Sequence, residues 1–142
     1  MKFYKPEIKD LWYRQSLVEN EETMSFNDIN GGIFPFSESK WDMWYKKWIL
    51  DSNYYYRYIQ NENDDYVGEV SYVLTDEEET CLVCIIIEAN QRNKGYGTKA
   101  LEELLKVIKE NGIKKVIVED NDSSLFERNG FMKEQDYFVK QL

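Results

Sequence analysis

The chain has 142 residues, of which 42% are apolar and 15% aromatic, and its net charge is −9. That length suits one domain with a real core. The acidic balance, with no basic patch in view, argues against nucleic acid as a partner, and no apolar run approaches the ~18–20 residues that a membrane helix needs.

The opening MKFYKPEIKD lacks the apolar core of a secretory leader, which points to a cytoplasmic protein. There is no histidine, so a general base would have to be a carboxylate, a thiolate, a tyrosine or a water. The negative surface would attract an amine, or simply keep the protein soluble.

Residues 1–4 read as a first strand. Pro6 then opens a helix over 7–17, since proline is favoured in a first turn. Residues 19–37 look irregular, with Gly31, Gly32 and Pro35 among them; a connection this long in a compact domain is often functional. Ser37 is placed to cap a second helix, with Glu38 in its first turn. Trp41, Trp44, Tyr45 and Trp48 fall at helical spacing and make one aromatic face.

Two aromatic and β-branched runs, 54–60 and 66–74, flank the turn Asn61-Glu62-Asn63-Asp64-Asp65 and should pair as an antiparallel hairpin. A further strand, 80–88, holds the apolar run 82–87. It contains Cys81 and Cys84, whose side chains should point to opposite faces. With no other cysteine and no histidine there is no plausible zinc site, and a redox CxxC belongs at a helix start, so both read as buried structural thiols.

The stretch 85–105 is the centre of the chain. After the apolar strand come a polar link, Gly95 and Gly97, and a helix over 95–110 with Ala100, Leu101, Leu104, Leu105 and Ile108 on one face. The first N–H groups of a helix lack intrahelical partners, and the macrodipole adds positive charge, so an anion is the natural ligand. Gly95 and Gly97 would allow positive φ and close approach. Arg92 and Lys94 add two cations. The loop therefore predicts a pyrophosphate cradle. The Lys-Ser/Thr ending of a P-loop is missing, and so is the third glycine of a dinucleotide fingerprint.

Asn111-Gly112 ends that helix. Residues 115–119 form a strand expected to be buried on both faces. Residues 122–128 form a short helix ending at Asn129-Gly130, and 131–142 a final strand. Asp120, Asn121 and Asp122 read as turn and cap residues.

Arg92-Asn93-Lys94-Gly95-Tyr96-Gly97 resembles the R/Q-x-x-G-x-G/A signature of the GNAT N-acetyltransferases, and it lies between a strand and an amphipathic helix as that family requires. Leu125-Phe126-Glu127-Arg128-Asn129-Gly130-Phe131 is similar to the family's second element, L-[YF]-E-[KR]-x-G-F. The resemblance covers residues 80–131. It implies a single α/β domain, 1–142, of three layers, whose mixed sheet has splayed central parallel strands flanked by helices.

It further implies acetyl-coenzyme A as acyl donor and direct transfer of acetyl to a primary amine of a small molecule or peptide. By that resemblance, backbone groups of Ile85 and Ile87 hold the pantetheine as an added strand. Amides of Arg92, Asn93, Lys94, Gly95, Tyr96, Gly97 and Thr98 cradle the pyrophosphate, and Leu125 and Phe126 flank the thioester. The acceptor would meet the first two helices, with Trp41 and Tyr55 as candidate contacts among many aromatic residues whose other reading is core packing.

The sequence also departs from the family. Phe126 stands where a tyrosine often donates a proton to the leaving thiolate. The position where some members carry a glutamate base is Cys81 here, and the nearest candidate base is Glu69, expected to alternate with Val67, Ser71 and Val73 toward the acceptor side. The family ends on two antiparallel strands, for which few residues remain, so a homodimer could complete the sheet. Two rival readings follow: an acyl-coenzyme A sensor or interaction module with little or no catalysis, and a different phosphate-ligand protein using the same turn.

Overall fold

The structure is a computed structural model that describes residues 1–26, 32–119 and 123–142. β1 (Lys2–Tyr4) leads through a 3-10 turn, Ile8–Asp10, into α1 (Leu11–Val18). The turn is closed by the Asp10 carboxylate, which accepts from the Glu7 N–H at 2.9 Å and from Tyr4 Oη at 2.8 Å. A second 3-10 turn, Glu38–Lys40, opens α2 (Trp41–Tyr45), which runs on into a π-helical turn, Lys46–Leu50. Ser37 stands in the capping position, but its hydroxyl lies 3.0 Å from that of Ser39 and caps nothing. Of the irregular 19–37 segment, 27–31 lie outside the described residues. The remainder still contributes Met24 and Phe36 to the core.

β2 (Tyr54–Gln60), β3 (Tyr66–Leu74) and β4 (Thr80–Ile87) form an antiparallel meander with the bounds the alternation predicts, to within a residue. α3 (Tyr96–Glu110) buries Ala100, Leu101, Leu104 and Ile108 against it and stops at Gly112, whose φ is +79°. β5 (Lys115–Glu119) runs parallel to β4. α4 (Ser123–Arg128) follows; Asp120, Asn121 and Asp122, expected as turn and cap, lie outside the described residues.

The chain ends on a hairpin, β6 (Met132–Glu134) and β7 (Tyr137–Gln141), rather than on one strand. Gln135, at φ +54°, makes the reversal without a glycine. β7 inserts between β5 and β6, so the described strands form one sheet in the order β1-β2-β3-β4-β5-β7-β6. The seventh strand is therefore supplied from within the chain.

Helices cover both faces of the sheet. Alternate residues of β2 to β5, including Ile59, Val70, Tyr72, Cys81, Val83 and Val116, pack on α3 and α4. On the other face Tyr56, Tyr58 and Ile86 pack on α1, on Met24 and Phe36, and on the 41–49 segment. One irregularity matters for the site. Ile59 faces Gly68 but Gln60 faces Tyr66, so β3 carries one extra residue, a bulge that flips the alternation. Val67 thus joins the α3 face, while Glu69, Ser71 and Val73 pair with Ile86, Cys84 and Leu82 on the α1 face. Among the described residues no helix is long and apolar enough to cross a membrane.

Candidate active site

β4 and β5 pair over three positions only, Thr80–Lys115, Cys81–Val116 and Leu82–Ile117, and then part. From Val83 onward the β4 edge faces a cleft of about 610 Å³. Its walls collect the residues expected at the acyl donor: Ile85 and Ile87 from the strand, Arg92, Asn93 and Gly95 from the turn, Tyr96, Gly97 and Thr98 from the start of α3, and Leu125 and Phe126 from α4. Lys94 is the exception, with its ammonium 3.3 Å from Gln91 Oε1.

Local bonds fix the turn. Ala89 N–H donates to Thr23 Oγ1 at 3.1 Å, and Glu88 N–H to the Val67 carbonyl at 2.9 Å. The Arg92 guanidinium bonds the Thr23 carbonyl at 2.6 Å and the Ile87 carbonyl at 3.2 Å. Arg92 therefore clamps the loop to its neighbour instead of offering a free cation. Asn93 (φ +63°) and Gly95 (φ +84°) take the left-handed conformation that turns the chain into α3. Gly97 does not; it is helical, and a Cβ there would meet only the Leu125 side chain, at 3.5 Å.

The α1 face of the cleft is lined by Ser71, Leu82, Cys84 and Ile86 from the sheet and by Met24, Phe26, Phe34 and Trp48 from the preceding segment. Among the described residues Glu119, at the end of β5, is the one carboxylate on the wall. Glu119 and Cys84 line the cleft although nothing in the sequence analysis singles them out for it, and of the aromatic residues at 41–48 it is Trp48 that reaches the wall. Glu119 was legible in principle, since it ends the strand parallel to the central one, where the two must splay.

Three expected residues are arranged otherwise. Glu69 is only 4% exposed and is absent from the described wall. Arg14 Nη1 reaches both its oxygens at 2.8 Å, and Tyr56 Oη donates a short hydrogen bond to Oε2. It is a buried ion-pair partner, not the half-buried free carboxylate a base would be. Tyr55 alternates onto the α3 face, stacks on Tyr72 at 5.1 Å and lies under Arg57. Trp41 donates its indole N–H to the Phe36 carbonyl at 3.1 Å and does not reach the cleft, whereas Trp48 does.

Cys84 corrects the expectation of two buried thiols. Cys81 is buried, but Cys84 opens on the cleft. The protein packed on its other side, reinforced by Glu69, pushes its thiol up.

A family model described as the acetyltransferase (GNAT) family matches residues 20–131. Among curated proteins none matches the sequence significantly. Solved structures do match. A domain from Methanocaldococcus jannaschii superposes with a TM-score of 0.81 at 20% identity, covering 99% of this chain and 97% of the other. A GNAT superfamily phosphinothricin acetyltransferase from Sinorhizobium meliloti, in complex with AcCoA, gives 0.79 at 14%, covering 99% and 88%. A spermidine N-acetyltransferase from Vibrio cholerae, in complex with CoA and spermine, gives 0.79 at 19%, covering 99% and 92%. At these identities the likeness is one of fold.

Proposed function

The chain belongs to the GNAT acetyltransferase family, and on that premise we propose that it transfers acetyl from acetyl-coenzyme A to the primary amine of a small molecule or peptide. The observation that carries this reading is the early end of β4–β5 pairing opposite the left-handed turn at Gly95. An exposed strand edge can take an extended pantetheine arm as an added strand. The amides that open α3 suit a pyrophosphate. The two meet in one cleft, and solved structures of the same fold include complexes with AcCoA and with CoA and spermine.

When bound, acetyl-coenzyme A supplies an activated acyl group and a thiol leaving group. The residues of the chain bind and orient. Ile85, Ile87, Leu125 and Phe126 give apolar contact and exclude water. The amides that open α3, 95–98, hold the phosphates, with Arg92 keeping their loop in place. The amine enters over Ser71 and Cys84, between Trp48 and Phe34. Glu119 attracts it as an ammonium and takes its proton, directly or through a water, so that neutral nitrogen can attack. Glu69, tied to Arg14 and Tyr56, lies behind the wall on the same face of β3 as Ser71 and is a positioning residue.

Calorimetric titration of the full chain with acetyl-coenzyme A tests the reading. Saturable heat is expected, with a rise in melting temperature; a hundredfold excess over Kd stabilises by about 2.7 kcal/mol. No heat and no shift at saturation would sink it, as would preference for a nucleotide in competition.

A second reading has its own support. Phe126 lacks the hydroxyl of the family's usual tyrosine, and Glu69 is engaged. Both fit a module that binds acyl-coenzyme A without turnover, and a panel of amines assayed after binding is established separates the two.

A further inference from the structure

Strand register lays one row of side chains along the acceptor side of the cleft. Tyr56 pairs with Ser71, and Ser71 with Cys84. β4 and β5 have already parted there. Leu82–Ile117 is their last pair, and two residues further on the strands carry Cys84 and Glu119. Alternation puts both on the face opposite Val83, Val116 and Val118, which pack with α3. Cys84 and Glu119 therefore stand on the two sides of the opening, and both line the cleft.

The surroundings of this row are apolar. Leu82 and Ile86 flank it on the sheet, and Met24, Phe34 and Trp48 face it from the preceding segment. The rings are held in place. Trp48 stacks on Trp44 at 6.3 Å and meets Tyr54 edge-on at 4.8 Å. Phe34 N–H donates to the Val18 carbonyl at 2.8 Å, yet the residue leaves 46% of its surface in water. An anchored, half-exposed ring at the edge of a cleft is apolar area that a ligand can cover.

An anionic group on the acceptor would find no free cation on this side among the described residues. Two cations line the cleft. Arg92 is engaged by the Thr23 and Ile87 carbonyls, and Arg128 stands at the end of α4, with the acyl-donor wall. Arg14 is held by Glu69, and Lys115, at the start of β5, by Glu77 at 3.1 Å. The segments 27–31 and 120–122 contain no lysine or arginine. A carboxylate desolvated against these rings would be costly, whereas an ammonium has Glu119 as its partner.

On the premise of the acetyl transfer above, we propose that the acceptor is an arylalkyl primary amine that carries no carboxylate. Its ammonium meets Glu119, its alkyl link passes over Cys84 and Ser71, and its ring lies between Trp48 and Phe34. Free amino acids are rejected for their carboxylate, and short alkylamines are held weakly for want of a ring.

The test is an NMR titration of the full chain with saturating coenzyme A, which has no acyl group to transfer. The signal is the indole N–H of Trp48, assigned by its loss in Trp48→Phe. The probes are 2-phenylethylamine, L-phenylalanine, which adds a carboxylate to the same body, and ethylamine, which lacks the ring. Saturable movement with phenylethylamine is expected, and in competition the other two should each bind at least about tenfold more weakly. Phe34→Ala should weaken phenylethylamine roughly fivefold to tenfold and leave ethylamine unchanged. No movement of Trp48, equal binding of phenylalanine or ethylamine, or undiminished phenylethylamine binding by Phe34→Ala would overturn the proposal. Acetyl-coenzyme A then replaces coenzyme A. The same discrimination in binding with no acetylated product would confirm the amine site and count against the transfer. Product formed from phenylalanine at an equal kcat/KM would keep the transfer and overturn the acceptor class.

Discussion

Gly97→Asp should abolish measurable binding of acetyl-coenzyme A while leaving the protein as stable as the wild type. A side chain at position 97 meets only Leu125, at ordinary contact distance, so the substitution fits sterically. It also places a carboxylate in the first turn of α3, where the macrodipole favours it by about 0.3–1 kcal/mol. The same carboxylate then occupies the anion site and repels the pyrophosphate. Like charges brought together in a binding site cost several kcal/mol, which corresponds to a loss of roughly a hundredfold or more in affinity.

Gly97→Ala is the control and should bind within a few-fold of the wild type. Calorimetry with melting curves on the three proteins gives the answer. If Gly97→Asp is folded and binds normally, the phosphates are not at this turn. Gly95 would be a poorer choice for the test, because at φ +84° any side chain strains the loop itself and confounds folding with binding.

Much of this cleft was legible in the sequence because its determinants are local. A strand, a left-handed turn and a helix follow one another over 80–110, and each is written in neighbouring residues. The bounds of β2, β3 and β5 follow equally from alternation and turn residues. What was not legible depends on non-local events. The bulge at Val67 is set by how β2 and β3 register, and it decides which β3 side chains face α1.

Glu69 looks like a free carboxylate in the sequence because nothing near it announces Arg14, which lies 55 positions away and meets it only in the fold. The π-helical turn over Lys46–Leu50 takes Trp48 off the 3.6 spacing of the preceding helix, and Trp48 lines the cleft. The closing hairpin turns at Gln135, which carries no turn signature. The face that Tyr55 takes is not legible for a simple reason: in a run of three tyrosines, the face of each depends on a pairing partner the sequence does not name.

The Arg14–Glu69–Tyr56 cluster carries the largest expected effect on stability. The Arg14 guanidinium lies 4.6 Å from the Trp44 ring, 5.0 Å from Phe36 and 5.6 Å from Tyr56, and its one strong anionic partner is Glu69. Arg14→Met keeps most of the volume but strands a carboxylate that is 4% exposed. Removing one partner of a buried pair typically costs about 3–5 kcal/mol, which for a chain of this size lowers the melting temperature by roughly 10–17 °C. Adding Glu69→Gln to that background removes the stranded charge, so the double variant should be more stable than Arg14→Met alone, a coupling that a double-mutant cycle measures directly.

A loss below about 1 kcal/mol for Arg14→Met, or strict additivity in the cycle, would contradict the ion pair as described. The functional consequence follows from register. Glu69 and Ser71 are successive residues on one face of β3, and Ser71 faces Cys84 at the acceptor side of the cleft, while the acyl-donor wall lies on β4 and α3. If the proposed transfer is correct, a folded Glu69→Gln protein should raise KM for the amine well above its effect on KM for acetyl-coenzyme A. It should also keep the pH profile of turnover, because the proton acceptor is then Glu119 or a water beside it; loss of the profile's acidic limb, where a general base becomes protonated, would return the role of base to Glu69.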